Sequence, residues 1–193
     1  MKKYGLFFGL GILGLMIYSF ITGSYNTMVT LDEGVLTQWS QVENQYQRRA
    51  DLIPNIVSTV KGYATHEKTT LESVIEARSK ATQTNVNIKD GKAIAAFQAT
   101  QSELSSALSR LMVVVEKYPE LKANQNFLEL QAQLEGTENR IAVARKDYNL
   151  GVKKYNIYIR KFPKNMIANM FNFEKTTLFE AQKGASQVPS VEF

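Results

Sequence analysis

The chain has 193 residues, a net charge of +5 and 44% hydrophobic residues, enough to bury the core of one domain. It contains no cysteine, which excludes disulfides, thiolate zinc sites, thiol nucleophiles and a lipid-modified N-terminal cysteine. Lys2 and Lys3 supply two of the 23 basic residues, so the remainder is nearly balanced against 18 acidic ones, and no basic stripe interleaved with aromatics points to nucleic acid.

After the two lysines, "YGLFFGLGILGLMIYSFI" at 4–21 carries no charge, and the next charged residue is Asp32. At about 1.5 Å per residue this run rises about 27 Å as a helix, close to the roughly 30 Å hydrocarbon thickness of a bilayer. It exceeds the roughly 7 to 15 apolar residues of a signal peptide, and "FITGSYN" makes a poor cleavage site, so residues 1–24 read as a retained single-pass anchor. Lysines before the span and Asp32 and Glu33 after it favour a cytoplasmic N-terminus, with the rest of the chain outside. Gly5 and Gly9 have the G-x-x-x-G spacing that lets two anchors pack closely.

From Met28 the apolar positions step by three and four through Val35, Trp39, Val42, Tyr46, Ile53, Ile56, Val60 and on to Leu71, Val74 and Ile75, a helical period. Pro54 lies inside this stripe and predicts a kink or restart, with Asp51 placed to cap it. "TQTNVNIKDG" at 82–91 reads as a loop. A second helix follows from Ile94 to Tyr118, ended by Pro119, and a third runs from about Ala123 to Lys161. These lengths predict an all-α, elongated antiparallel bundle over 25–180 behind the anchor. The Phe- and Met-rich stretch 162–182 predicts a short helix that closes the bundle end, with lipid headgroups as the rival destination, and 181–193 reads as a flexible tail.

The candidate chemistry is sparse. His66 is the single histidine, and Thr70 stands where a second would be needed for H-E-x-x-H zinc binding. No G-x-S-x-G turn or phosphate-binding glycine loop occurs, and one histidine cannot furnish a di-iron ligand set. Catalytic, cofactor-binding and metal residues are therefore assigned to none, with a carboxylate-metal hydrolase as a remote alternative.

A polar cluster is better defined. "RRADLIPNIV" at 48–57 places Arg48, Arg49, Asp51 and Pro54 in the first stripe, and the third stripe pauses over Glu135, Glu138, Arg140, Arg145 and Asp147. Facing each other, the two segments would form a polar brace or interface that sets helix register, to which Glu67 is added as a further charged position. Any inward charge there must be well partnered, because leaving one buried and unpaired costs several kcal/mol.

The runs "YNTMVTLDEGVLTQWSQVENQYQRRADLIPNIVSTVKGYATHE", "EARSKA", "RLMVVVEKYPELKANQNFLELQAQLEGTENRIAVARKDYN" and "YNIYIRKFPKNMIANMFNF" resemble the LemA family of bacterial membrane proteins from the anchor to Phe179. The resemblance implies one membrane helix, an all-α bundle and no enzyme activity or cofactor. It implies a place in the bacterial cytoplasmic membrane and, for some members, in membrane-compartment biogenesis, with genes often near membrane metalloproteases or TPM-domain proteins. The expectation is a non-enzymatic, membrane-anchored scaffold with the lipid bilayer and a second copy of itself as partners, or another membrane protein such as a membrane metalloprotease or TPM-domain protein. The alternative is a regulatory adaptor of a membrane protease or envelope-stress system.

Overall fold

The computed structural model describes residues 2–83 and 86–180, and these are helical apart from turns and one extended segment. The helices are α1 Lys2–Tyr63, α2 Lys68–Gln83, α3 Gly91–Val115, α4 Pro119–Lys122, α5 Gln125–Arg160 and α6 Lys164–Met170. The all-α bundle of long antiparallel helices expected from the periodicity is the architecture that forms. Residues 181–193, where a flexible tail was expected, lie outside the described residues.

α1 is one continuous helix of 62 residues, about 93 Å long at about 1.5 Å per residue. Its residues 7–20 are exposed, and burial begins at Ile21 and Ser24, where the bundle starts. Among the described residues, α1 is the one helix long and apolar enough to cross a membrane. Around Gly9 there is open space; the surroundings of Gly5 lie outside the described residues.

Of the kink or restart expected at Pro54, the restart does not occur: α1 runs unbroken through it. A proline has no N–H to donate to the carbonyl four residues earlier, here that of Ala50. The Arg78 Nε of α2 donates to that carbonyl at 2.7 Å, replacing the lost helical bond from the side, while the proline ring faces solvent. Asp51 consequently caps nothing; it is exposed and accepts from Gln47 Nε2 at 2.7 Å. The chain turns instead at 64–67, where the Glu67 amide bonds the Ala64 carbonyl at 3.2 Å before α2 begins.

α2 returns along α1, α3 runs parallel to α1, and α5 comes back antiparallel to it. Asp90 caps α3 by accepting from the Lys92 amide at 2.8 Å, and Asn124 caps α5 by accepting from Phe127 at 3.0 Å. α1 and α5 form the most extensive contact, and at Gly151 they come so close that a Cβ there would overlap the Gln38 side-chain amide. Beyond residue 24, α1 extends about 58 Å and α5 about 54 Å, whereas α3 reaches about 38 Å and α2 about 24 Å. The end of the bundle nearest the anchor therefore lacks two of its helices. α6, a turn at 171–172 and an extended strap over 173–180 take their place.

The core divides into two clusters. One, away from the anchor, contains Ile53, Ile56, Val60, Val74, Leu104, Leu111 and Leu134. The other, toward the anchor, contains Met28, Trp39, Val42, Phe97, Tyr148, Tyr155 and Ile167. Between them, at the level of Tyr46 and Arg49, lies a polar layer.

Candidate functional site

Arg49 is the centre of that layer. Its helical position falls on the buried face of α1, between Tyr46 and Ile53, so its guanidinium must be satisfied inside the bundle. Nη1 donates to Glu138 Oε1 of α5 at 2.7 Å and to Ser105 Oγ of α3 at 3.0 Å. Nη2 donates to the Gln101 carbonyl at 3.3 Å and to the Gln101 side-chain oxygen. Gln101 Nε2 then donates to the Ala81 carbonyl of α2 at 3.2 Å. One arginine thus links α1 directly to α3 and α5, and through Gln101 to α2.

Exposure of the two charges is unequal. The Arg49 side chain is 2% exposed and that of Glu138 is 44% exposed, so the carboxylate keeps much of its hydration while the guanidinium depends on protein acceptors. Arg49 also lies 5.1 Å from the Tyr46 ring centroid, in cation–π range. Burial raises the Tyr46 hydroxyl above its ordinary range, opposed by the positive charges of Arg145 and Arg49. A cavity of about 70 Å³ lies beside the pair, between Arg49, Glu138, Ser102 and Arg145.

Below this layer the strap is held by a repeated Tyr-Asn pair on α5. Tyr155 donates its hydroxyl to the Glu174 carbonyl at 2.9 Å, and seven residues earlier Tyr148 donates to the Thr177 carbonyl at 2.8 Å. Asn156 bonds both the carbonyl and the amide of Thr176, at 2.8 and 3.0 Å. Asn149 does the same to Phe179, at 3.1 and 2.9 Å. Seven helical residues rise about 10.5 Å and three extended ones about 10 Å, so the two repeats keep step. Each asparagine presents the donor and acceptor of a neighbouring strand.

Phe179 anchors the strap in a box of rings. It stacks on Trp39 at 5.6 Å and meets Tyr148 edge-on at 5.4 Å, with the Arg145 guanidinium 4.7 Å from its centroid. Arg145 also donates to the Glu180 carbonyl at 3.2 Å. Burial raises the Tyr148 and Tyr155 hydroxyls well above their ordinary value, consistent with both acting as donors.

Of the residues singled out in the sequence, the structure brings together Arg49 and Glu138, with Arg145 at the edge of their cavity. Arg48 and Asp51 are exposed, and Pro54 acts through the carbonyl it frees. Glu67 lies at the far end of the bundle, accepting from the Tyr118 hydroxyl at 3.3 Å. Glu135 is exposed and accepts from Gln131 at 3.0 Å, and Arg140 turns back to Thr137 at 3.2 Å. Asp147 is exposed at the rim of a groove between α1 and α5. Gln101, Ser105, Arg78 and the Tyr-Asn repeat were not foreseen. Gln101 was detectable as a polar residue on the apolar stripe between Phe97 and Leu104, and "YN" recurs at a seven-residue interval. Among the described residues, no three acidic or histidine side chains converge as a metal site.

The LemA family model matches residues 38–193, which includes the polar layer, the Tyr-Asn repeat and the strap. The chain belongs to the LemA family. Relatives include the magnetosome proteins MamQ 2 and MamQ 1 of Paramagnetospirillum magneticum, each 28% identical over 186 residues, covering 86% of this chain and 68% of the relative. Protein LemA of Metamycoplasma hominis is 24% identical over 182 residues, covering 94% of this chain and 80% of its own. The LemA match begins inside α1, after the apolar segment. With that segment, the LemA bundle described here is a membrane-associated protein.

Proposed function

We propose that this LemA-family chain is a single-pass, non-enzymatic scaffold of the bacterial cytoplasmic membrane that self-associates through α5 and organises the envelope, with its bundle on the extracytoplasmic side. The observation that carries the reading is an unpartnered seam. Val143, Leu150 and Ile157 are exposed and recur every seven residues, a coiled-coil interval, over about 21 Å of helix. Two grooves of about 600 and 470 Å³ flank them, the first walled by the α1 glutamines Gln38, Gln41 and Gln45. Anchoring copies in one membrane holds them parallel and at one height, so each seam meets the same residues of its neighbour and can close as a two-fold pair.

Other features agree with a role in contact rather than catalysis. Arg49 bonds three neighbouring side chains and a carbonyl, the arrangement of a structural brace. Relatives that bear magnetosome names support a role in organising membranes. The test is the light-scattering mass of the full chain in mild detergent, together with a Leu150→Glu variant. A defined oligomer that the charge in the seam reduces to monomer is expected; a parent chain that is monomeric, both in detergent and by crosslinking in cells, would overturn the proposal.

A further inference from the structure

α6 and the turn before it carry apolar side chains that the bundle does not use. Ile167 and Ala168 face inward, but Phe162 is 82% exposed, Met166 61% and Met170 67%. Such a concentration on seven helical residues and one turn is not the scattered surface hydrophobicity of a soluble protein. Its position identifies what covers it.

Tyr25 of α1 packs edge-on against Phe171 and Phe173, with centroids 4.9 and 5.6 Å apart, and Ile21 packs against the core cluster that contains Ile167. Tyr25 is four residues beyond Ile21, the last residue of the uncharged apolar run singled out above, a rise of about 6 Å. That places the end of α6 within the headgroup layer, which occupies about 5 to 8 Å on each side of the hydrocarbon. Charge agrees with position. Residues 160–173 contain Arg160, Lys161 and Lys164 and no acidic residue, and Lys164 stays close to the surface of α5 over the Tyr158 ring at 3.7 Å. Apolar side chains flanked by lysine and arginine are what an anionic lipid surface selects.

We infer that Phe162, Met166 and Met170 form a platform that rests in the headgroup region of an anionic bilayer, giving the bundle a second attachment beside its anchor. This rests on α1 crossing the membrane and is independent of self-association. The platform fixes the lean of the bundle and the face that α5 presents along the membrane.

Because the chain has no cysteine, a single one can be introduced for spin labelling. The full chain carrying Met166→Cys or Phe162→Cys, with Glu120→Cys at the far end as reference, is reconstituted in phosphatidylcholine vesicles with and without phosphatidylglycerol. Accessibility to oxygen and to a water-soluble nickel chelate is then compared. The expected result is preferential oxygen access at 162 and 166 in the anionic vesicles, weakened without phosphatidylglycerol or by Arg160→Glu with Lys161→Glu, while 120 stays aqueous. Chelate access at 162 and 166 as high as at 120 would overturn the inference. So would protection from both reagents, the signature of protein cover, or immersion indifferent to lipid charge.

Discussion

Arg49 and Pro54 illustrate how little a residue's type says without its partner. Arg49→Ala removes the one group that joins the polar layer and leaves Glu138, the Gln101 oxygen and Ser105 with unmet bonds. A loss of about 3 to 5 kcal/mol is expected by chemical denaturation. Glu138→Gln should cost about 1 kcal/mol, because its carboxylate is half in water and Arg49 keeps its other acceptors. Equal losses for the two variants would show that the ion pair, and not the buried network, holds the layer. Pro54 gives a second test. Arg78→Ala should cost about 1 to 3 kcal/mol by orphaning the Ala50 carbonyl, and Pro54→Ala should recover most of that by restoring a helical donor. A double-mutant cycle without coupling would refute the compensation. The sequence exposed the charges and the proline as anomalies on an apolar stripe. It could not expose Arg78 as the answer to Pro54, because the two are linked by a fold-back across the 64–67 turn.

At the level of elements, helix existence was legible and helix punctuation was not. Periodicity located α3 and α5 closely, since each buries a long stripe, that of α5 interrupted only at the polar layer, and carries a side-chain cap at its start. The turn at 64–67 was missed because those residues contain neither glycine nor proline, while the proline at 54 drew the local signal to a kink or restart. The strap was missed for another reason. An extended segment that pairs with side chains instead of strands need not show a sheet's alternation, and its only signature is the Tyr-Asn repeat on the helix that holds it. Phe179→Ala should cost about 3 kcal/mol by emptying the ring box. Asn149→Ala and Asn156→Ala should each expose strap amides to hydrogen exchange, with protection lost across 174–180 ahead of the bundle. Unchanged exchange in either variant would mean that this asparagine's bonds do not retain the strap, leaving it to Phe179 and the tyrosine hydroxyls. Backbone bonding by the asparagines is indifferent to sequence, so Phe179 sets the strap's position.

The whole molecule has a predicted alkaline limit. The Tyr46, Tyr148 and Tyr155 hydroxyls are all raised by burial, so the folded state holds their protons after the unfolded chain has begun to release them near pH ~10. Their contribution to stability is therefore complete below that pH and is lost as pH rises above it. Denaturant midpoints should fall as tyrosinate absorbance rises, and Tyr148→Phe with Tyr155→Phe should flatten the decline; an unchanged slope would remove these groups as its source. Fold class and the helix of membrane-crossing length were legible at this scale because both rest on composition and period. The polar layer spanning all four long helices was legible in only two of its members. One consequence follows from α1 having no joint between its membrane segment and its bundle segment. A stiff rod embedded at one end converts inclination into displacement: a change of about 10° in the tilt of the buried part, of the kind a change in bilayer thickness imposes, sweeps a tip 58 Å away through about 10 Å.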